Sequence, residues 1–394
     1  MNKRIVLFGF GNVGGGFYRL FQSVKDQIPA DITAIVVKHK EKHQLPLSIL
    51  HAYDEGTWRE CWETSDIVIE CTNDPIAGWD IIFSSLQAGK IVITASKRPL
   101  AQNLSALHQW LASFPQAVIR YEAAAMASVP IFRGIADHFA QEPLAEIFGV
   151  VNGTTHYIMQ EVLEKALPYA EALKQAQYLG YAEEDPYLDI SGWDAAYKLV
   201  LLVWKLWGTI TPLEKIPVWG ISGLGMEEYK LCRKYDLLLK PVVKAKSAGD
   251  HLSLFVGPAF IPRDDVFASL QGADNGLRFE WGWAGSQFYK GKGAGPEATG
   301  SAIMGDLWNV LHNPTPGYLK NAKHLRIEGE SGYFYIRGKT LVSQLSGSIF
   351  PFEGGNVWRG SSEQLREATL NMPPDSYFVA LLSDEALLAQ VLNK

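Results

Sequence analysis

Residues 4–14 of the chain are Arg4-Ile-Val-Leu-Phe-Gly9-Phe-Gly11-Asn-Val-Gly14, an apolar run that leads into a glycine-rich turn. The apolar run is typical of a buried strand, and the residues after the turn, to about Asp26, have helical periodicity. A G-x-G-x-x-G pattern alone is a weak signal, but between a strand and a helix it predicts a dinucleotide-binding turn. The glycines would let a pyrophosphate approach the helix N-terminus. We therefore expect cofactor contacts from Gly9, Gly11, Asn12, Val13 and Gly14.

A second apolar segment, residues 32–37, ends at Lys38. Enzymes selective for NAD usually carry an acidic residue here, which binds the ribose hydroxyls. Lys38, followed by His39 and Lys40, would instead favour a 2′-phosphate. We predict a preference for NADP over NAD, although Lys38 could also be an ordinary exposed strand end.

Further strand-like segments at residues 66–71, 89–94 and 117–122 alternate with helical stretches. This alternation predicts an α/β fold, with an open and mostly parallel sheet joined by right-handed crossovers. We assign residues 1–130 to a Rossmann-type dinucleotide-binding domain. Ligands bind such sheets at the carboxyl ends of the strands, where Thr72, Lys97 and Glu122 are expected to lie.

Composition limits the functional classes. A chain of 394 residues is long enough for two or three domains. A net charge of −6 without a basic stripe argues against nucleic-acid binding, and no apolar run reaches the ~18 residues that a membrane span needs. The three cysteines form neither a disulfide framework nor a zinc pattern, which fits a reducing cytoplasm.

The stretch from Gly180 to Lys198 holds the most concentrated charge in the chain. Asp194 and Lys198 lie four positions apart in an apolar helical pattern, so they should share one helix face. Carboxylates on the preceding loop could hold a small cationic substrate beside this pair. The alternative is a solvated acidic loop followed by an ordinary surface ion pair. The carboxylates are Glu183, Glu184, Asp185, Asp189 and Asp194.

Five further motifs follow the glycine turn in a recognisable order. They are Thr94-Ala-Ser-Lys97, Glu122-Ala123, Asn152-Gly-Thr-Thr155, the block from Gly180 to Lys198, and Gly291-Lys-Gly-Ala-Gly295. Over residues 1–310 the chain resembles the homoserine dehydrogenases. The resemblance implies a cytoplasmic, usually dimeric enzyme that interconverts L-homoserine and L-aspartate 4-semialdehyde with NAD(P).

The resemblance also implies residue roles. The lysine at position 198 would transfer the proton, Asp194 would orient it, and Lys97 would lie near the cofactor and the reacting centre. Gly295 and Thr72 would lie close to the cofactor. Glu183 and Asp189 would bind the substrate. The charges of homoserine independently favour Glu183 with Asp189 or Asp194 for its ammonium, and backbone amides around Gly153 and Thr154 for its polar groups; Tyr181 is expected to border them. A monovalent cation such as Na⁺ would be held by Glu122 and by carbonyls of Ala125, Ala127 and Val129.

The chain departs from the family pattern at several positions, namely Ser96, Ala125, Ser128, His156 and Glu184. The substitutions at 125 and 128 put the cation site in question, and we interpret His156 as a hydrogen-bonded interior histidine rather than a catalytic group. Two alternatives follow: a dehydrogenase for another small amino-acid alcohol or aldehyde, or a dinucleotide-binding sensor without turnover.

The remaining residues predict two further domains. We assign residues 131–312 to an α+β catalytic and dimerisation domain. Residues 313–394 are expected to form a small α+β module, including a helix over residues 383–392; a degenerate regulatory domain of the ACT type is one interpretation of this module.

Overall fold

The computed structural model describes residues 2–46, 48–314, 325–383 and 388–389. The chain forms two compact units, the first of Met1–Ala140 with Lys292–Asn321 and the second of Gln141–Gly291 with Ala322–Lys394. This division differs from the three domains predicted from the sequence. Within the described ranges, no helix is long and apolar enough to cross a membrane. The helix predicted over residues 383–392 lies largely outside the described residues.

The strands, in chain order, are β1 (Lys3–Phe8), β2 (Ala30–Val37), β3 (Leu50–Ala52), β4 (Ile67–Glu70), β5 (Ile91–Thr94), β6 (Ile119–Arg120), β7 (Leu144–Val150), β8 (Leu237–Ala248), β9 (His251–Pro262), β10 (Asp274–Trp281), β11 (Gly285–Lys292), β12 (Arg326–Gly329), β13 (Ser331–Arg337), β14 (Ile349–Phe352), β15 (Gly355–Ser361) and β16 (Phe378–Leu382).

The α-helices are α1 (Asn12–Ser23), α2 (Arg59–Glu63), α3 (Pro75–Gln87), α4 (Lys97–Gln102), α5 (Leu104–Ser113), α6 (Gly153–Lys165), α7 (Tyr169–Tyr178), α8 (Tyr187–Ile190), α9 (Trp193–Trp207), α10 (Met226–Lys234), α11 (Pro296–His312), α12 (Lys339–Gln344) and α13 (Ser362–Thr369). A π-helical turn, Ile131–Ile135, belongs to the first unit.

The first unit is built on a six-stranded sheet in the order β3-β2-β1-β4-β5-β6. Every pair in it is parallel. The apolar runs read from the sequence form its buried strands, because a parallel sheet is covered by helices on both faces. This strand order is that of the Rossmann fold, and its order reverses between β1 and β4, where such sheets bind dinucleotides. The predicted fold class is therefore confirmed.

Helix α11 belongs to the first unit, although the sequence assigned its residues to the catalytic domain. It packs against α1 through two glycines. A Cβ on Gly16 would lie 2.2 Å from the Pro296 carbonyl oxygen, and one on Gly300 would lie 2.7 Å from the Phe17 nitrogen. Only glycine allows this approach of the two backbones. A sequence-local analysis could not detect a contact between segments almost 300 residues apart.

The second unit is built on a ten-stranded sheet whose main path is β11-β10-β7-β8-β9-β16-β13-β15-β14, with β12 paired to β9. Strand β7 lies between β8 and β10 and is antiparallel to both. The chain leaves β7 through Val151 and Asn152 and enters α6. Helix α9 is apolar on nearly all sides and is almost completely buried, as expected for a helix in the core of a large unit.

The C-terminal strands do not form a separate sheet. From β13 to β16 the chain follows a βαββαβ pattern, which is the ferredoxin-like arrangement. Strand β16 then pairs in parallel with β9, at Leu381 with Ala259 and Leu382 with Phe260. The α+β character of the tail was predicted, but its strands extend the sheet of the second unit, so contacts do not separate it as a third unit.

The close packing of the glycine turn predicts how substitutions there change the free energy of unfolding. A Cβ on Gly14 would lie 2.1 Å from the Gly9 carbonyl oxygen, whereas one on Gly11 would meet no atom within 4 Å. We expect Gly14→Ala to lower the free energy of unfolding by about 1–3 kcal/mol, the usual cost of overpacking. Gly11→Ala is the matched control and should change it little. Urea unfolding of both variants measures the difference, and equal stabilities would contradict the steric argument.

Candidate active site

The glycine turn fits a bound pyrophosphate. Gly9 has a φ of +88°, and a side chain there would lie 2.5 Å from the Cys71 carbonyl oxygen. Gly11 precedes α1 as its N-cap residue, and no side chain caps the helix. The first amides of a helix have no intrahelical partner and attract anions. The open space above Gly11, with these amides beside it, is what a dinucleotide needs to approach.

A buried carboxylate organises the sheet edge next to this turn. Glu70, the last residue of β4, is completely buried and accepts hydrogen bonds from the hydroxyls of Thr72 (2.6 Å), Thr94 (2.6 Å) and Ser96 (3.0 Å). The Thr72 amide also donates to it, at 2.7 Å. Burial raises the pKa of Glu70 above its ordinary value. The sequence analysis missed this role, although an acid closing an apolar strand was a visible signal.

Two other predicted cofactor residues lie at helix N-termini of the first unit. Lys97 is the first residue of α4, directly after the Ser96 held by Glu70. Gly295 is the N-cap residue of α11, with a φ of +111° and no atom within 4 Å of an added Cβ. Both positions, like Gly11, lie at the start of a helix, where main-chain groups lack intrahelical partners.

Lys38 is exposed and directly follows β2. Its neighbour Lys40 is engaged by Glu55 at 2.5 Å. No carboxylate among the described residues forms an ion pair with Lys38. The Lys38 ammonium is therefore available to an anion at the carboxyl end of the sheet.

The predicted cation turn is buried and strongly hydrogen bonded. The two oxygens of the Glu122 carboxylate accept the amides of Phe132 (2.8 Å) and Arg133 (2.9 Å). The Glu122 amide in turn donates to Asp306, at 3.0 Å. Burial, together with the nearby Asp306 charge, raises the pKa of Glu122 to about 7. Ala127 has a φ of +44°, which is unusual for a residue with a side chain.

The geometry of this turn limits how it could bind a cation. The described residues contain no group of three or more His, Cys, Asp or Glu side chains that could hold a metal ion. The Glu122 carboxylate already accepts hydrogen bonds from two main-chain amides. A cation here would therefore be held mainly by main-chain carbonyls, which are suitable ligands for hard cations.

In the second unit, Asn152 joins two of the predicted acids. Its Nδ2 group donates to Asp189 Oδ1 at 2.7 Å and to Asp194 Oδ2 at 2.8 Å. Its Oδ1 accepts the Thr155 amide at 2.9 Å and so caps α6. One side chain thereby fixes the start of a helix and the positions of both carboxylates.

Lys198 lies beside this group and is only 7% exposed. Its Nζ is 3.1 Å from Asp194 Oδ2 and donates to the Val151 carbonyl at 2.6 Å. The expected ion pair between positions 194 and 198 is present, but it is buried, so the alternative of a solvated surface pair does not apply. A buried ammonium needs such partners because desolvation of an unpaired charge is costly.

The other predicted substrate residues surround the start of α6. The Thr154 hydroxyl donates to the Tyr181 carbonyl at 2.6 Å, and the Tyr181 ring lies 4.9 Å from that of Tyr157. Gly153 is close-packed, since a Cβ there would lie 2.7 Å from the Ala273 carbonyl oxygen. Glu183 is exposed, and the described residues place no hydrogen-bond donor on its carboxylate. The acidic loop contains the short helix α8, which the sequence analysis did not predict.

His156 is an interior residue, as expected. It is fully buried on α6, and its Nε2 lies 2.7 Å from Lys240 Nζ. Burial and the neighbouring lysine lower the pKa of His156 to about 3, and burial lowers that of Lys240 to about 8. The Nε2 atom of a neutral imidazole can accept a hydrogen bond from Lys240 Nζ, so we interpret this buried pair as structural.

Two asparagines were not among the predicted site residues. Asn152 belongs to a motif that the sequence analysis quoted, and a polar residue before a helical pattern is a recognisable N-cap signal. Its bridge to two acids some 40 residues away had no local signal. Asn275 lies in β10, is fully buried, and donates from Nδ2 to the Val151 carbonyl at 3.0 Å. A polar residue in a buried strand was the only hint.

Two family models and several curated relatives match the chain. A family model described as "Homoserine dehydrogenase" matches residues 130–308, and one described as "Homoserine dehydrogenase, NAD binding domain" matches residues 9–119. The homoserine dehydrogenase of Helicobacter pylori is 30% identical, with 79% of this chain and 74% of the relative covered. That of Lactococcus lactis is 28% identical, with 80% and 76% covered.

Solved structures show the same fold. A homoserine dehydrogenase from Thiobacillus denitrificans has a TM-score of 0.84 at 23% identity, with 98% of this chain and 99% of that chain covered. A putative homoserine dehydrogenase from Archaeoglobus fulgidus has a TM-score of 0.69 at 27% identity, with 78% and 99% covered. The sequence relatives and the two family models together show that the chain belongs to the homoserine dehydrogenase family, whose members are NAD(P)-dependent oxidoreductases.

Proposed function

We propose that Lys198 is the proton-transfer residue in the interconversion of L-homoserine and L-aspartate 4-semialdehyde. The observation that carries this proposal is the buried Lys198 ammonium, held between Asp194 at 3.1 Å and the Val151 carbonyl at 2.6 Å. An ammonium has three N–H groups. The contacts with Asp194 and Val151 orient this ammonium, and we propose that one of its N–H groups donates the proton to the substrate oxygen.

Substrate binding is assigned to the start of α6 and the acidic segment that follows. The amides of Gly153 and Thr154 are in the first turn of α6, where a carboxylate is favoured. We propose that they receive the substrate α-carboxylate. Asp189, supported by Glu183, would pair with the α-ammonium, while Tyr181 borders the site through its contact with Thr154. These are the groups that distinguish an amino acid from a simple alcohol.

The Asp194 carboxylate favours the charged form of Lys198. That form suits proton donation to the aldehyde oxygen during reduction. In the oxidative direction, Lys198 must first release a proton in order to accept one from the substrate hydroxyl. Bound nicotinamide supplies the hydride acceptor in this direction. We therefore expect oxidation to accelerate as the pH rises toward the ordinary range of a lysine, ~10.4.

The first unit is assigned to NAD(P). Gly9, Gly11, Asn12, Val13 and Gly14 would surround the pyrophosphate at the start of α1, and Thr72, Lys97 and Gly295 would border the cofactor on neighbouring segments. The exposed Lys38 supports a preference for NADP, because its ammonium can pair with a 2′-phosphate at the end of β2.

We also propose a monovalent-cation site and a homodimer. A monovalent cation would bind carbonyls of Ala125, Ala127 and Val129 beside Glu122, which is supported by the left-handed turn at Ala127. The family resemblance also supports a homodimer. Light scattering of the purified protein measures its mass against the 43.7 kDa of one chain.

The role of Lys198 is tested by replacing it with methionine, which keeps the length of the side chain and removes the charge. Lys198→Met should reduce homoserine oxidation by at least ~10³-fold, a magnitude in the range of general acid–base catalysis, while NADP binding persists. Lys205→Met is the matched control, since Lys205 is a buried lysine on the same helix. Near-normal turnover by Lys198→Met would show that another group moves the proton.

Cofactor preference is tested at the end of β2. Lys38→Ala should raise KM for NADP by about tenfold, which corresponds to ~1.4 kcal/mol for one lost phosphate contact, and leave KM for NAD unchanged. Lys40→Ala is the control because Glu55 already engages Lys40. An unchanged ratio of NADP to NAD use in Lys38→Ala would contradict the assignment.

A further inference from the structure

Asn275 is a fully buried amide with one partner. It lies near the start of β10, and its Nδ2 donates to the Val151 carbonyl at 3.0 Å. Its Oδ1 is buried and has no hydrogen-bond partner among the described residues. Burying a polar atom without a partner costs free energy. An apolar side chain would avoid this cost, so packing alone does not account for an asparagine here.

The carbonyl that Asn275 contacts is the one that holds Lys198. Val151 O accepts Lys198 Nζ at 2.6 Å as well as Asn275 Nδ2. The peptide group of this carbonyl continues into Asn152, whose side chain holds Asp194. One short segment between β7 and α6 therefore carries the Val151 carbonyl that binds the ammonium and the Asn152 side chain that holds Asp194. Asn275 reaches it from β10, the strand paired with β7.

We propose that Asn275 is a positioning residue for proton transfer, which fixes the Val151 carbonyl so that this oxygen holds Lys198 beside Asp194. The proposal rests on the assignment of Lys198 as the proton-transfer residue. Asn275 contacts neither substrate nor cofactor in this account. Its effect is transmitted through the orientation of a single peptide group.

Replacing the Asn275 amide with a carboxylate should favour the protonated form of Lys198. The Nδ2 hydrogen of Asn275 is the positive end of a dipole and points to the oxygen that also binds the ammonium. A carboxylate of the same shape would remove the donor and add a negative charge nearby, which favours the protonated lysine. Lys198 is paired with Asp194 on its own helix, and Asn152 joins Asp194 to Asp189 on α8. On β8, Lys240 and Lys244 are engaged by His156 and Glu330.

The test is Asn275→Asp, measured as homoserine oxidation between pH 7 and pH 10. We expect kcat to fall by about tenfold or more, equivalent to ~1.4 kcal/mol of barrier, with KM for homoserine changed by less than about twofold. The pH at which the rate rises should move upward by about half a unit or more, because a nearby negative charge stabilises the ammonium. Asn275→Ala should lower kcat with a smaller pH shift.

Leu277→Val controls for loss of packing, since Leu277 lies on the same face of β10 and is equally buried. It should lower thermal stability without moving the pH profile. If Asn275→Asp does not fold, the positioning role is tested by Asn275→Ala, for which a lower kcat with a nearly unchanged KM for homoserine is expected. Unchanged kcat and an unshifted profile, with Lys198→Met inactive, would overturn the positioning role alone. Active Lys198→Met would overturn the proton-transfer assignment and this inference together.

Discussion

The proposed active site in the second unit depends on holding one buried ammonium, that of Lys198, in a fixed position. A buried positive charge is tolerated only with a paired anion and satisfied hydrogen bonds. Asp194 supplies the anion from the preceding turn of α9, and Val151 supplies a carbonyl from the end of β7. Asp194 accepts a hydrogen bond from Asn152 Nδ2, and Asn152 Oδ1 caps α6 by accepting the Thr155 amide. The charge on one helix is thus stabilised by the junction of a strand with another helix.

In the first unit the main constraint is steric, because an anion must approach the backbone closely. Gly14 must lack a side chain because the Gly9 carbonyl occupies that space, whereas Gly11 leaves its space open. Glu70 then uses four hydrogen bonds to fix the segments that follow β4 and β5. These segments carry Thr72 and lead into Lys97. In both units a buried carboxylate orders a neighbouring group that we propose contacts a ligand.

Local sequence patterns predicted a large part of this structure. The glycine turn was predicted because strand, turn and helix are adjacent in the chain, and the pairing of Asp194 with Lys198 because helical periodicity fixes the distance between positions four apart. The roles of Asn152 and Asn275 could not be predicted in this way. Asn152 contacts acids 37 and 42 residues away, and Asn275 lies 124 residues from Val151. Such contacts depend on sheet order, which local patterns do not contain.

The two compact units divide the chain differently from the three predicted domains, for the same physical reason. Helix α11 belongs with the first unit because glycines on two distant segments allow the backbones to touch, and β16 extends the second sheet by pairing with β9. Hydrophobic periodicity identifies α11 and β16 as elements but does not state which partner buries them.

The central claim, that Asn152 holds the acid that keeps Lys198 in place, is most directly tested by kcat/KM for L-homoserine in Asn152→Asp. This substitution keeps an oxygen to cap α6 and replaces the donor with a third carboxylate beside Asp189 and Asp194. The account predicts a folded protein whose kcat/KM falls by about 100-fold or more, equivalent to ~2.7 kcal/mol. A folded variant with wild-type kcat/KM would contradict it.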